Sequence, residues 1–385
     1  MSSTTPPLHL SSLTGLRFLA AFAVFFSHVY YVFWYVEEPG PTFTRAVLVA
    51  ASAGVSFFFV LSGFVLTWSA RPEDTAGAFW RRRFVKIYPN HVVAWAAALG
   101  LMVSAGTLVS AGQALPNLFL IQSWLPDHNH DAAANGVSWS LSCEIFFYAC
   151  FPLLMVLAQR LSTRQITAAV VVTAVGIWMI PTLAFALLPD SPSFPEISAT
   201  LHQHWFVYAF PVARLLEFVL GMLLATLVRR GRLGSVRPWH AGVLLCLGAP
   251  VAVEVTFLRG LVSVLAVPLA VLVVAFANRD IRGGGSVLGR RGTVWLGTVS
   301  YAFFLIHYPV ITAAVQFFDI DPVPLPAAAR ILWSLAVLAV SLGCAWAMYA
   351  GVERPLMRRF ANPRGPAGPR PGPVDEAAPA PVAGG

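Results

Sequence analysis

The sequence predicts an all-α, polytopic membrane helix bundle of about ten transmembrane helices with both termini cytoplasmic. Three observations carry that expectation. Of 385 residues, 57% are hydrophobic and only 11% are charged, whereas soluble domains carry roughly 25% charged residues. So few charges cannot coat a chain of this length, which excludes a soluble enzyme. Apolar runs of about 20 residues, the length that crosses a bilayer, recur from end to end. All but one of the 25 basic residues are arginine, and most lie in short connections between the runs. The net charge of +8 therefore reports orientation in a membrane and not binding to nucleic acid.

The first run, 14–35, lacks a basic leader and a small-x-small cleavage site, so it is expected to span and not to be a cleaved signal. It closes on Tyr30, Tyr31, Trp34 and Tyr35, an interfacial aromatic cluster. Further spans are expected at 46–68, 84–108, 137–158, 166–188, 206–228, 240–257, 260–277, 293–317 and 327–352. Only Leu258, Arg259 and Gly260 mark the break between 240–257 and 260–277, which leaves eight or nine spans as alternatives. The run 113–124 is too short to span and contains Pro116, so it reads as interfacial or re-entrant. Residues 1–360 form the transmembrane domain. Residues 361–385, rich in Pro, Ala and Gly, read as a disordered cytoplasmic tail.

With the amino terminus inside, basic residues collect on one side. They fall at Arg71 to Lys86, Arg160 and Arg164, Arg229 to Arg237, Arg279 to Arg291, and Arg354 to Arg370. The opposite connections are acidic, with Glu37, Glu38, Asp127, Asp131, Asp190, Glu196, Asp319 and Asp321. This is the positive-inside pattern, and it favours an even number of spans. The cysteines Cys143, Cys150, Cys246 and Cys344 fall in apolar runs with no metal or disulfide spacing.

A charge at a helix centre costs roughly 2.5–3.5 kcal/mol on insertion scales, so ionisable groups within spans are candidates for function. Arg17, His28, Glu144, Arg214, Glu217 and His307 are such groups. Arg17 and His28 fall on one face of the first helix, separated by about 16 Å of rise. Glu144, counted from the outer end of its helix, falls about 10 Å deep, near the level expected for His28. A carboxylate touching the imidazole would orient it; a structural ion pair is the plainer alternative. Arg214 and Glu217 can pair within one helix turn. His307 lies mid-helix, two residues before Pro309 and six after Tyr301, and reads as a polar contact shaping the site. Arg81, Arg82, Arg83 and Lys86 form a cationic cluster suited to phosphates, although any inner loop is basic.

Together these segments resemble the membrane acyltransferase-3 family. Leu13-Thr14-Gly15-Leu16-Arg17 followed by His28 is similar to its Arg-x10-His motif. Phe57-Phe58-Phe59-Val60-Leu61-Ser62-Gly63-Phe64, Arg82-Arg83-Phe84-Val85-Lys86-Ile87-Tyr88-Pro89 and Trp139-Ser140-Leu141-Ser142-Cys143-Glu144 resemble further family segments. So do Ser300 to Pro309 and Glu353-Arg354-Pro355. Six motifs in order cover almost the whole chain. Lys86 departs from the usual Arg, keeping the charge but losing bidentate geometry. Ile145 stands where many members have a polar residue.

The resemblance implies a multi-pass O-acyltransferase of the bacterial cytoplasmic membrane, using acyl-CoA as co-substrate and no metal. Its acceptor would be the hydroxyl of a glycan or of a glycosylated natural product. The Ala-, Arg- and Pro-rich composition favours antibiotic-tailoring members that acylate macrolides. The implied catalytic residues are His28, Glu144 and Arg17. Arg81, Arg82, Arg83 and Lys86 would hold CoA phosphates, and His307, Tyr301, Arg214 and Glu217 would line the substrate site. A covalent acyl-enzyme on Ser142 or Cys143 stays open, as does the rival class, a transporter or flippase using the same groups as a proton relay.

Overall fold

The computed structural model describes residues 10–35, 41–71, 74–126, 134–191, 193–194, 199–320 and 325–361. Most of the acidic outer-loop residues and all of the tail after Ala361 lie outside that set. Eleven helices organise the chain: α1 Ser11–Val29, α2 Pro41–Trp68, α3 Ala76–Ser104, α4 Ala111–Leu118, α5 Trp139–Arg160 and α6 Thr163–Leu187. They continue with α7 Pro211–Arg229, α8 Pro238–Glu254, α9 Val264–Ile281, α10 Arg291–Phe318 and α11 Ala327–Met348. A two-stranded ribbon, β1 Ser193–Phe194 with β2 Ala199–Thr200, decorates the connection before α7.

Every expected span is helical, and among the described residues nine helices are long and apolar enough to cross a membrane. The tenth, α8, has 17 residues, about 26 Å of rise, short of a 30 Å hydrocarbon core. It nevertheless runs the length of α9. Asn278 at the end of α9 donates to the Leu233 and Val236 carbonyls just before α8, and at the far end Gly260 lies against Ala252. The reversal is real, but it falls at Val255 and Thr256; Leu258, Arg259 and Gly260 are already helical, in the turns that lead into α9. Several boundaries shift, and one changes the site: α3 begins at Ala76, capped by the Thr75 hydroxyl, so Arg81, Arg82 and Arg83 ride on the helix together with Lys86.

The arginine-rich connections meet at one end of the bundle, as the charge count requires. Arg229 donates to the Thr67 carbonyl at the end of α2, and Arg230 to the Leu161 carbonyl between α5 and α6. Asp280 accepts from the backbone amide and hydroxyl of Ser12, at 2.8 and 2.6 Å, tying the start of α1 to the end of α9. The segment around α4 does not span. Its buried Asn117, Gln122 and Ser123 are held inside the protein, where irregular backbone at depth is tolerated. His91 of α3 reaches the Asn117 carbonyl at 3.0 Å, and Trp205 the Ser123 carbonyl at 3.0 Å.

Proline removes the amide that would bond the carbonyl four residues earlier, and hydrocarbon offers no water to replace it. Three such carbonyls are claimed by side chains of other segments. Trp80 Nε1 donates to Tyr148 O below Pro152 at 2.9 Å, Ser263 Oγ to Ile177 O below Pro181 at 2.9 Å, and Asn135 Nδ2 to Leu305 O below Pro309 at 2.8 Å. Each kink is thereby also a cross-link.

Close approach of α2 and α7 depends on two glycines. A β-carbon on Gly63 would overlap the Phe218 carbonyl, and one on Gly221 the Val60 carbonyl, so the two backbones touch reciprocally, as small residues permit in lipid. Gly221→Leu should abolish the folded species in detergent, read by monodisperse elution and thermal unfolding. Gly343→Ala on α11, where a methyl meets no atom within 4 Å, should keep the melting temperature or raise it, through a gain of up to about 1 kcal/mol in helix propensity.

Candidate active site

Two neighbouring cavities occupy the interior between α1, α2, α3, α5 and α10. The inner one, about 110 Å³, is lined by Arg17, Arg83, Lys86, Glu144, Tyr148 and Tyr301, with Ser62 and an apolar wall that includes Phe58 and Phe59. The outer one, about 140 Å³, is lined by Ser27, His28, Tyr31, Ser52, Trp139 and Tyr208, with Gly136 and Val137. Val55 and Phe304 line both. These two side chains are the partition between a cationic chamber and a chamber of imidazole, hydroxyls and aromatic rings.

Arg17 and His28 reach different chambers because about 16 Å of helix separates them. Glu144 does not join His28. It lines the inner chamber, where Arg17, Arg83 and Lys86 act on its carboxylate and the Tyr148 hydroxyl faces it. The expectation of one shared level fails for a local reason. The chain enters α5 through a 3-10 turn, Gly136–Ser138, that is already inside the bundle and walls the outer chamber. Glu144, roughly two turns further along α5, then falls a full chamber deeper than a helix starting at the interface would place it.

His28 has a different partner. Its Nδ1 lies 2.9 Å from Nε2 of His307, whose own Nδ1 lies 3.2 Å from the Phe303 carbonyl. His307 is fully buried, with Phe25, Phe303 and Phe304 around its ring, while Tyr308 meets His28 edge-on at 5.1 Å. Asn135, through the carbonyl freed by Pro309, fixes α10 at this level against the segment that walls the outer chamber.

The cationic cluster divides. Arg83 and Lys86 line the inner chamber; Arg82 pairs with Asp74; Arg81 is exposed outside it. Lys86 bonds Glu353 at 2.6 Å, and the second oxygen of Glu353 accepts from Asn90 at 2.9 Å. The Glu353-Arg354-Pro355 segment thus clamps the end of the chain onto α3. Tyr301 donates to the Ile87 carbonyl at 2.9 Å while lining the inner chamber. Arg214 and Glu217 pair at 3.0 Å, both 1% exposed, and line neither cavity. Arg214 bonds Ser56 and lies over the Phe59 and Tyr208 rings, so the pair stands behind the walls of both chambers.

Sequence reasoning did not single out Asn135, Tyr148 or Tyr208. Pro309 was the available signal for Asn135, since its orphaned carbonyl demands a donor, but nothing in the sequence says which residue supplies it. Among the described residues no group of three or more His, Cys, Asp or Glu is arranged to hold a metal.

Fold and cavities define a polytopic membrane protein with its polar machinery among its helices. The chain belongs to the acyltransferase-3 family, whose Acyltransferase domain matches residues 10–350. It is 34% identical over 97% of its length to the Acyltransferase MdmB of Streptomyces mycarofaciens, covering 98% of that protein. It is 27% identical to the Exopolysaccharide production protein ExoZ of Rhizobium meliloti, over 85% of this chain and 95% of that one. With the Peptidoglycan O-acetyltransferase OatA of Listeria monocytogenes it shares 21% identity over 81% of this chain, and spans only 51% of that protein's length. No solved structure matches the chain.

Removing one member of a buried ion pair strands the other charge. Lys86→Met should therefore lower stability by about 2 kcal/mol, less than for a fully buried pair because the Lys86 side chain keeps 26% exposure. The double variant Lys86→Met/Glu353→Gln should recover part of that loss in thermal unfolding, which a mere packing defect at Lys86 would not allow.

Proposed function

We propose that this protein is an O-acyltransferase of the bacterial cytoplasmic membrane that moves an acyl group, acetyl by default, from acyl-CoA to a hydroxyl. The acceptor is a carbohydrate or a glycosylated natural product such as a macrolide. The observation that carries the reading is the pair of chambers meeting at Val55 and Phe304, one lined by three cations and the other by a histidine.

The inner chamber lies toward the arginine-rich, cytoplasmic end, where acyl-CoA is made. Arg17, Arg83 and Lys86 offer its phosphates a cationic surface, with Glu144 in the same cavity as a counter-charge. The exposed Arg81 and the paired Arg82 serve at most as an outer attraction. The thioester end then passes Val55 and Phe304 to meet the acceptor beside His28.

There His28 Nε2 takes the acceptor's hydroxyl proton as the oxygen forms a bond to the thioester carbonyl carbon. The carbonyl electron pair shifts onto oxygen and returns as the C–S bond breaks. The proton passes from His28 to the departing thiolate, leaving an ester and free CoA. General-base assistance of this kind contributes about 10²–10⁴-fold. Ser142 and Cys143 line neither cavity, which favours direct transfer over a covalent acyl-enzyme. Tyr31, Trp139 and Tyr208 give the outer chamber flat apolar faces beside the hydroxyls of Ser27 and Ser52, a surface suited to a sugar ring.

Purified protein with radiolabelled acetyl-CoA and candidate acceptors tests the assignment. Time-dependent loss of thioester should fall at least 100-fold in His28→Ala while the protein stays folded; an undiminished rate would remove His28 from the chemistry, and no thioester loss in the wild type would favour transport. Arg17→Lys should weaken donor binding several-fold and leave acceptor binding unchanged. Val55→Trp should block transfer to acceptor while CoA still binds, because bulk at the partition closes the passage and leaves the cations untouched.

A further inference from the structure

Resting on the general-base reading of His28, we infer that His307 is the positioning residue that fixes the tautomer of His28 and leaves Nε2 as the bare nitrogen. Backbone carbonyls at these rings can play one part only, and they set the protons. The Phe303 carbonyl can only accept, so the Nδ1 that lies 3.2 Å from it must carry a proton. In a neutral imidazole the other nitrogen is then an acceptor. Nε2 of His307 therefore presents a lone pair to Nδ1 of His28 at 2.9 Å, and the single proton in that bond belongs to His28. With its proton on Nδ1, His28 has an unprotonated Nε2, the form a base needs.

The arrangement does for His28 what a carboxylate does for the histidine of a hydrolase triad, namely select tautomer and ring orientation, but with a neutral acceptor. When His28 Nε2 takes the acceptor's proton, the Nδ1 proton can slide along the existing bond to His307 Nε2, spreading one positive charge over two rings; it returns when the thiolate leaves. No additional proton or co-reactant is required. The pair is held from behind, since Asn135 anchors α10 at Leu305, midway between Phe303 and His307. Glu144, the carboxylate the sequence offered for this task, lies across the partition in the other chamber.

His307→Met keeps the bulk and offers Nδ1 only a weak thioether acceptor, whereas His307→Gln places an amide oxygen where Nε2 stood. His307→Met should lose at least 100-fold in kcat with the KM for acetyl-CoA within about twofold of wild type, and His307→Gln should recover tenfold or more of that loss. Equal impairment of the two variants, or a normal rate in His307→Met, overturns the inference. A second measurement does not depend on either variant folding. In 15N-histidine-labelled protein in lipid, with His28 assigned by its absence in His28→Ala, magic-angle NMR should find Nδ1 protonated and Nε2 bare; the reverse tautomer overturns the inference. An active His28→Ala would instead bring down the general-base reading itself, so the two failures are distinguishable.

Discussion

The structure depends on one constraint: inside hydrocarbon, a backbone carbonyl or amide without a partner has no water to turn to. The protein interrupts its own helices with proline and satisfies three of the freed carbonyls from neighbouring segments. Trp80, Ser263 and Asn135 do this at Pro152, Pro181 and Pro309. A kink that would be a weak point in isolation becomes a point of fixation between helices. The Asn135 bond fixes the level of α10 from which His307 reaches His28.

Ionic groups obey the same rule. Lys86 and Glu353 are paired, with Asn90 taking the remaining carboxylate oxygen. Arg214 and Glu217 are paired behind the cavity walls. The charges that face open space are gathered in one chamber with mutual compensation, Glu144 among Arg17, Arg83 and Lys86. The histidines are segregated in the other, where they answer to each other and to a carbonyl. Two electrostatic environments thus coexist within one bundle, and the chemistry proposed for the family draws on both.

The helical architecture was legible because its cause is local: apolar runs and arginine spacing can be counted along the chain. The intramembrane list was legible for the same reason, since Arg17, His28, Glu144 and His307 each violate a local rule. Their pairing was not. Depth along α5 depends on the buried turn at Gly136–Ser138, which no periodicity reveals, so counting along the sequence puts Glu144 level with His28 when it lies in the other chamber. The contact between His28 and His307 joins residues 279 positions apart, and only the packing of α1 on α10 creates it. Arg81 to Lys86 read as one cluster in sequence, yet the 3.6-residue turn of α3 sends these side chains to solvent, to Asp74 and to the chamber.

The partition made by Val55 and Phe304 has an electrical consequence. A single wet passage joining both faces would conduct ions and protons and short-circuit the gradient the bilayer maintains. Two cavities, end to end and divided by a valine and a phenyl ring, place an apolar barrier between the two polar interiors, so the empty protein offers no such passage along this route.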